Sequence, residues 1–385
     1  GSFFPYIISL SVLLQVLFLP VFGALADYSN RKKQFLGLFA YMGAAATTAL
    51  YFVDGARYLL GGGLFLIANL CFGAGLVFYN AFLPEIASPP NRDSVSSKGW
   101  ALGYLGGGVL LLLNLALLFL REQVGLTVAQ AVRLNLASAG VWWAIFSIIP
   151  LMGVRNRGDA RGLPEAGSLL RTAFGQLFRT LRDMRKYPQT LLFLCAYLCY
   201  NDGVQAVISL AAQFGNQALG IGQQELTGTI LMVQFVALGG SLGFNWIAAR
   251  AGSKETIIWS LVIWTAVVIY VGAAVTTTLQ FFLAAAVIAL VLGGTQALSR
   301  SVFSHMIPKR KESEYYSLYE ISERGTSWLG PLLFGLSLQF TNSYRFAIAS
   351  LVVFFCVGIA LLWKVDIRQA AREAAVGRGG VRGGG

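Results

Sequence analysis

Long apolar stretches alternate along this chain with short polar or basic ones. Runs long enough to cross a hydrocarbon core, at about 20 residues each, fall at roughly 3–23, 35–53, 59–83, 100–120, 132–152, 188–212, 226–248, 256–273, 279–299, 316–340 and 344–363. The pattern predicts an all-α integral membrane protein with eleven visible spans. Between the fifth and sixth runs, Leu170, Phe174, Leu177, Phe178, Leu181 and Met184 recur at helical spacing with Arg171, Arg179, Arg182, Arg185 and Lys186 beside them. That is the signature of a basic amphipathic helix lying on a membrane surface.

Composition agrees with the pattern. Of 385 residues, 56% are hydrophobic and 12% charged, about half the charged fraction of an ordinary soluble domain. Too few charged side chains are present to coat a water-exposed surface. The first run is too long, and lacks the basic start, for a cleavable signal peptide. Cys71, Cys195, Cys199 and Cys356 all lie inside apolar runs without metal or redox spacing, so they read as small packing residues.

The net charge of +12 would suit a nucleic-acid binder, but the cations are distributed as a bilayer requires. With the Arg31-Lys32-Lys33 loop in the cytoplasm, the loops that follow on the same side hold nearly all the lysines and arginines. Only Arg57, Arg121, Arg133 and Arg345 fall opposite, and Arg324 lies within a span. This topology puts the C-terminus in the cytoplasm and residue 1 outside. The chain opens on Gly1 without a Met. Eleven spans from an external start predict a further helix ahead of it, making twelve in two groups of six. The expected divisions are 1–152, an N-terminal bundle lacking its first helix; 153–187, the basic linker; 188–363, a six-helix C-terminal bundle; and 364–385, a disordered tail. A faint internal repeat aligns Phe22–Lys32 with Phe244–Lys254, with Ala249 in the second copy where the first has Asp27; many secondary transporters are built from such repeats.

The segment Gly23-Ala-Leu-Ala-Asp27-Tyr-Ser-Asn-Arg31-Lys32-Lys33 has the form G-x-x-x-D followed by a basic pair. It resembles the loop between helices 2 and 3 of the major facilitator superfamily. Tyr28 and Asn30 depart from that pattern, where a cation and a glycine are usual. Four further stretches narrow the resemblance: Phe78-Tyr-Asn-Ala-Phe-Leu-Pro84-Glu85-Ile-Ala, Ser96-Ser-Lys-Gly-Trp100 through Gly108, Tyr200-Asn-Asp202-Gly-Val-Gln205, and Gln296-Ala-Leu-Ser-Arg300-Ser with Gly325-Thr-Ser-Trp-Leu-Gly330-Pro331. Over residues 3 to about 363 the chain is similar to the vacuole-effluxer-like branch, whose fungal members are associated with amino-acid export. The resemblance implies a major facilitator fold of two pseudo-symmetric bundles around a cavity, and alternating access without ATP. It also implies an amino-acid-like cargo, and a gating role for Gly23 and Asp27 with Arg31 and Lys32 nearby.

Ionisable groups inside spans cost about 2.5–3.5 kcal/mol each, so each needs a reason. Asp202 lies about 21 Å along a helix from Pro188, flanked by Asn201 and by Gly203, a place where a helix can break. It reads as a proton or substrate-amine site, or alternatively as a carboxylate satisfied by packing. Tyr79, Asn80, Asn114, Gln205 and Gln296 are polar groups able to line a cavity, although each singly can be an interhelical bond. Glu320 and Arg324 have the i, i+4 order that favours a helical ion pair. That leaves Glu323 to find Arg300, another cation or a proton, in a gate network or in direct coupling. Glu85, after Pro84, can pair with Arg92 or Lys98 at the interface. His305 lies at a helix end without the partners a metal site or catalytic triad would need, and no nucleotide-binding G-x-x-x-x-G-K-[ST] occurs.

The reading is therefore a secondary transporter, not an enzyme, with no cofactor. Its expected partners are a small amino-acid-like solute, protons and the lipid bilayer. Its expected setting is a bacterial inner membrane or an organellar or vacuolar one. The same fold carrying a sugar, nucleoside or organic anion, and a solute sensor that does not transport, are the alternatives.

Overall fold

The computed structural model describes residues 3–54, 57–156, 175, 178, 182–324 and 328–376, and every long element among them is an α-helix. In chain order these are α1 (Phe3–Ser29), α2 (Lys32–Ala49), α3 (Tyr58–Ala81), the single-turn α4 (Leu83–Ile86), α5 (Arg92–Leu120), α6 (Val128–Gly153), α7 (Pro188–Leu219) and α8 (Gln223–Ala251). They continue with α9 (Ser253–Ala273), α10 (Thr278–His305), α11 (Glu312–Arg324), α12 (Leu329–Thr341), α13 (Tyr344–Ser350), α14 (Val352–Lys364) and α15 (Ile367–Val376). Ten stretches among the described residues are long and apolar enough to cross a bilayer. Leu102, Phe119, Ile149 and Leu283 stand fully outward on them, which suits hydrocarbon and not water.

Over the expected eleventh span, 316–340, the described residues are helical at Glu312–Arg324 and at Leu329–Thr341, on either side of 325–327, which lie outside the described residues. α11 carries the polar sequence ESEYYSLYEISER, and only α12 is apolar. The Gly330-Pro331 pair therefore opens a helix. Pro331 sits in its first turn, where a backbone N–H has no helical partner to lose.

The expected disordered tail is also corrected in part, because 367–376 is helical. Asp366 caps this helix, its carboxylate accepting the Gln369 N–H at 3.0 Å, and that bond holds the exposed carboxyl below the usual carboxylate range. Ala370 and Ala374 are buried, and the helix packs on α7. Most of the amphipathic linker helix and the Gly/Arg run 377–385 lie outside the described residues.

The chain forms two compact units. The first holds Gly1–Ile86, Val109–Asp183 and Lys309–Ile321; the second holds Ala87–Gly108, Met184–Pro308 and Ser322–Gly385. In the first, α2 packs on both α3 and α6, with Phe22, Phe35, Phe39 and Phe78 in mutual ring contact. In the second, α8 crosses α10 so closely that a Cβ on Gly293 would collide with the Ala237 carbonyl. There α7 lies on α14. α7 runs unbroken through Asn201-Asp202-Gly203. The expected break is absent, and Gly203 instead admits Phe354 and Phe355, since a Cβ there would lie 2.9 Å from Phe354 Cβ.

The repeat read from sequence has a local structural counterpart. Asn30, between α1 and α2, has φ +53°, and Gly252, its aligned partner between α8 and α9, has φ +94°. A positive-φ residue therefore follows each of the paired helices, and asparagine tolerates positive φ better than other non-glycine residues. Asn30→Val should lower the melting midpoint in detergent, at a cost of about 1–2 kcal/mol, and Asn30→Gly should cost far less. Equal melting of the two variants would remove this backbone argument.

Candidate functional site

In the first unit the end of α1, the start of α2, α4 and the start of α11 converge on one ammonium group. Lys32 Nζ donates to Glu85 Oε1 at 2.7 Å and to Glu312 Oε2 at 2.8 Å, and lies 3.5 Å from Asp27 Oδ1. All four side chains are largely or fully buried. Asp27 also accepts the backbone N–H groups of Ser313 at 3.1 Å and Glu314 at 2.8 Å. Its carboxylate thus takes up two of the otherwise unpaired N–H donors in the first turn of α11, where negative charge is favoured. Gly23 explains itself by the same docking. A Cβ there would lie 2.5 Å from the Ser313 carbonyl oxygen. Arg31, grouped with Lys32 by the motif, is exposed and makes no ion pair among the described residues.

One expected pairing differs from that found. Glu85 takes Lys32 rather than Arg92 or Lys98. The Arg92 guanidinium donates instead to the Ser304 carbonyl at 2.8 Å, and Lys98 is exposed. Glu320, expected on Arg324, accepts from Asn80 Nδ2 at 2.7 Å, a buried bond from α3 to α11; the Arg324 side chain lies outside the described residues. Asn80 is thereby a carboxylate's partner. Asn114 accepts from Ser138 Oγ at 3.0 Å and ties α5 to α6. Tyr79 is 39% exposed.

The second unit gathers the other polar candidates on α7, α10 and the end of α11. Asn201 accepts from Gln296 Nε2 at 3.1 Å and donates to the Glu323 carbonyl at 3.3 Å. The Glu323 carboxylate accepts from the Tyr197 hydroxyl at 3.2 Å. Arg300 is buried and donates to the Oγ of Ser96 at 2.9 Å and to its carbonyl at 2.8 Å, tying α10 to α5. Asp202 is 1% exposed. Neither of its carboxylate oxygens has a hydrogen-bond partner within 3.5 Å among the described residues. Its Oδ2 faces Gly330 in the first turn of α12, 3.5 Å from where a Cβ would stand. Gln205, one turn past Asn201, is half-buried.

Several members of these networks are not marked as site residues by the sequence, although Ser96, Trp100 and Tyr104 fall in one of the family-like stretches. Glu312 follows Lys309-Arg310-Lys311 and was lost in the charge count of that loop; its signal is an acid at a helix start. Ser96, Trp100 and Tyr104 on α5, and Tyr197 on α7, sit inside apolar or small-residue runs, and only their i, i+4 spacing marks one shared face. Among the described residues no group of acids, cysteines or histidines could hold a metal.

This helical architecture is that of the major facilitator transporters. The chain matches the proton:xylose symporter XylE with a TM-score of 0.67 at 14% identity, over 93% of this chain and 85% of that one. It matches the transporter FucP, in the outward conformation, with a TM-score of 0.67 at 12% identity, over 95% and 91%. The class of fold is thus that of the major facilitator transporters. Within that class the chain belongs to the family described as vacuole effluxer Atg22 like, whose model matches residues 1–375. Relatives include an uncharacterized MFS-type transporter, YxiO, of Bacillus subtilis (strain 168), 31% identical over 363 residues, which is 94% of this chain and 84% of that protein. Another is autophagy-related protein 22 of Yarrowia lipolytica (strain CLIB 122 / E 150), 28% identical over 464 residues, with 97% and 77% covered.

Lys32→Met leaves three clustered carboxylates without their shared cation, and removing one partner of a buried ion pair typically costs about 3–5 kcal/mol. Thermal unfolding in detergent should show a loss of that order for Lys32→Met. Adding Glu312→Gln to it should recover part of the loss, with a coupling above about 0.5 kcal/mol. Strict additivity of the two substitutions would mean that the cluster is not an energetic unit.

Proposed function

We propose that this transporter moves a small amino-acid-like solute by alternating access, in the direction of efflux, coupled to protons or another ion. The observation that carries the reading is Asp202, a buried carboxyl on α7 with no side-chain partner and no cation within 4 Å among the described residues, faced by the backbone of Gly330. A lone ionised carboxylate in such a place costs several kcal/mol. A position of this kind suits a group that takes up and releases a proton, or receives a cation, during each cycle. The family's description as effluxers supports the direction of transport.

The Asp27–Lys32–Glu85–Glu312 cluster serves in this reading as a latch. It ties the turn after α1 to the start of α11, so segments from early and late in the sequence separate when its bonds break. The lysine and arginine distribution places this latch, and the C-terminus, on the cytoplasmic side of a multi-pass membrane protein. The buried Glu320, held by Asn80, acts in closure in the same unit, and Asn114 braces α5 on α6.

The test uses the full chain in proteoliposomes, with labelled leucine and an imposed pH gradient. Asp202→Asn should abolish gradient-driven accumulation and leave exchange at equal concentrations running. Accumulation that survives the substitution intact would make Asp202 a packing residue. Measurable binding of amino acids by the unsubstituted protein without any flux would favour a sensor.

A further inference from the structure

Trp100 Nε1 and Gln296 Oε1 are buried, and neither has a hydrogen-bond partner among the described residues. One is a donor and the other an acceptor, and both lie on residues that neighbour Arg300, in space for Trp100 and along α10 for Gln296. The Cζ of Arg300 lies 5.7 Å from the centre of the Trp100 ring. Gln296 precedes Arg300 by one turn of α10, a spacing of about 5–6 Å between Cβ atoms. Buried polar atoms without partners are rare enough that each needs an explanation.

The surroundings supply one. Asn201 engages the Nε2 of Gln296 at 3.1 Å, which fixes the amide and leaves Oε1 on its other side. Asn201 reaches on to the backbone of Glu323, and Tyr197 holds that residue's carboxylate, so an anion stands at the end of the same chain of bonds. Trp100 packs against Tyr104 with ring centres 5.8 Å apart. All these residues belong to the second unit. They are presented by i, i+4 pairs on three helices, Trp100 and Tyr104, Tyr197 and Asn201, Gln296 and Arg300, so each helix offers a single face.

We infer that this cluster recognises the α-carboxylate and α-ammonium groups of a free amino acid. The Trp100 N–H and the Arg300 guanidinium receive the carboxylate. Gln296 Oε1 and the Glu323 carboxylate accept from the ammonium group. The turn between Gln296 and Arg300 is short enough for both charged groups to hang on one α-carbon, and the Trp100 and Tyr104 rings offer an apolar wall to a side chain. A sugar could hydrogen-bond these groups but would neutralise neither the guanidinium nor the carboxylate, and an organic anion would leave Glu323 opposing it. This inference rests on the amino-acid reading above and names the residues that would impose it.

The experiment measures exchange of labelled leucine by the full chain in proteoliposomes. Unlabelled leucine competes against 4-methylpentanoate, which lacks the ammonium group, and 3-methylbutylamine, which lacks the carboxylate. Both analogues should compete at least about tenfold more weakly than leucine, a difference of about 1.4 kcal/mol. Trp100→Phe keeps the ring and loses the donor; Glu323→Gln keeps the shape and loses the charge. Each should raise the KM for leucine about tenfold or more. If leucine exchanges but either analogue competes as well as leucine does, or neither variant moves KM, the zwitterion site is overturned while the transport reading stands. If the unsubstituted protein exchanges no leucine, the amino-acid reading falls and this site with it. The competition arm uses only unsubstituted protein, so misfolding of a variant does not blunt the test.

Discussion

A charge buried among helices has no water to satisfy it and is costly unless another group of the protein meets it. The Lys32 cluster is the fullest expression of that constraint. One ammonium group serves three carboxylates, and the balance is completed by backbone, because Asp27 also takes two N–H groups at the start of α11. That solution demands close approach, and close approach demands a glycine at position 23. It also demands a turn tight enough to return Lys32 toward Asp27, which the left-handed Asn30 supplies. A short motif thus encodes a geometry in which each member depends on the others.

The internal repeat shows how one scaffold yields two different contacts. The aligned turns share a positive φ, but the residues on them diverge. Lys32 meets carboxylates, whereas Lys254 donates to the carbonyls of Trp363 and Val365 at the end of α14. Asp27 caps α11, whereas Ala249 has nothing to offer. The neighbouring Ser253 hydroxyl instead bonds Asp93 in the first turn of α5. Each unit has accordingly gathered a helix start from the other half of the sequence: 309–321 joins the first and 87–108 the second. The first attachment is strongly charged and the second is mostly neutral hydrogen bonding. Desolvation and salt act very differently on two such attachments.

Hydropathy made ten crossing helices legible, because the cost of exposing apolar surface is written in composition over some twenty residues. Over the eleventh it averages a tyrosine-rich polar helix, Glu312–Arg324, with an apolar one, Leu329–Thr341, so the two ends of that span carry very different composition. The acids that matter were visible as acids, but their partners were not. Glu85 is found on Lys32 and Glu320 on Asn80, and pairings between residues far apart in sequence depend on packing that no local pattern records. Glu312 was masked by the three cations before it. Trp100 was masked by its hydrophobicity, since an indole in an apolar run looks like core until its N–H is found without a partner.

Asn201 and Asp202 show why a single turn of α7 can serve both sides of the proposed cycle. Consecutive residues point about 100° apart on a helix, and the two side chains accordingly meet different neighbours. Asn201 engages Gln296 and Glu323, while Asp202 faces Gly330 at the start of α12. Under the proposed function the cargo is read on one face and the coupling ion on the next. The covalent adjacency of the two residues then links the events, because a shift or rotation of α7 that carries one side chain carries the other. The Gly203 contact with Phe354 and Phe355 holds that turn of α7 against α14. A cargo-induced movement at Asn201 would therefore be transmitted by rigid helix to Asp202, with no loop or flexible segment needed between them.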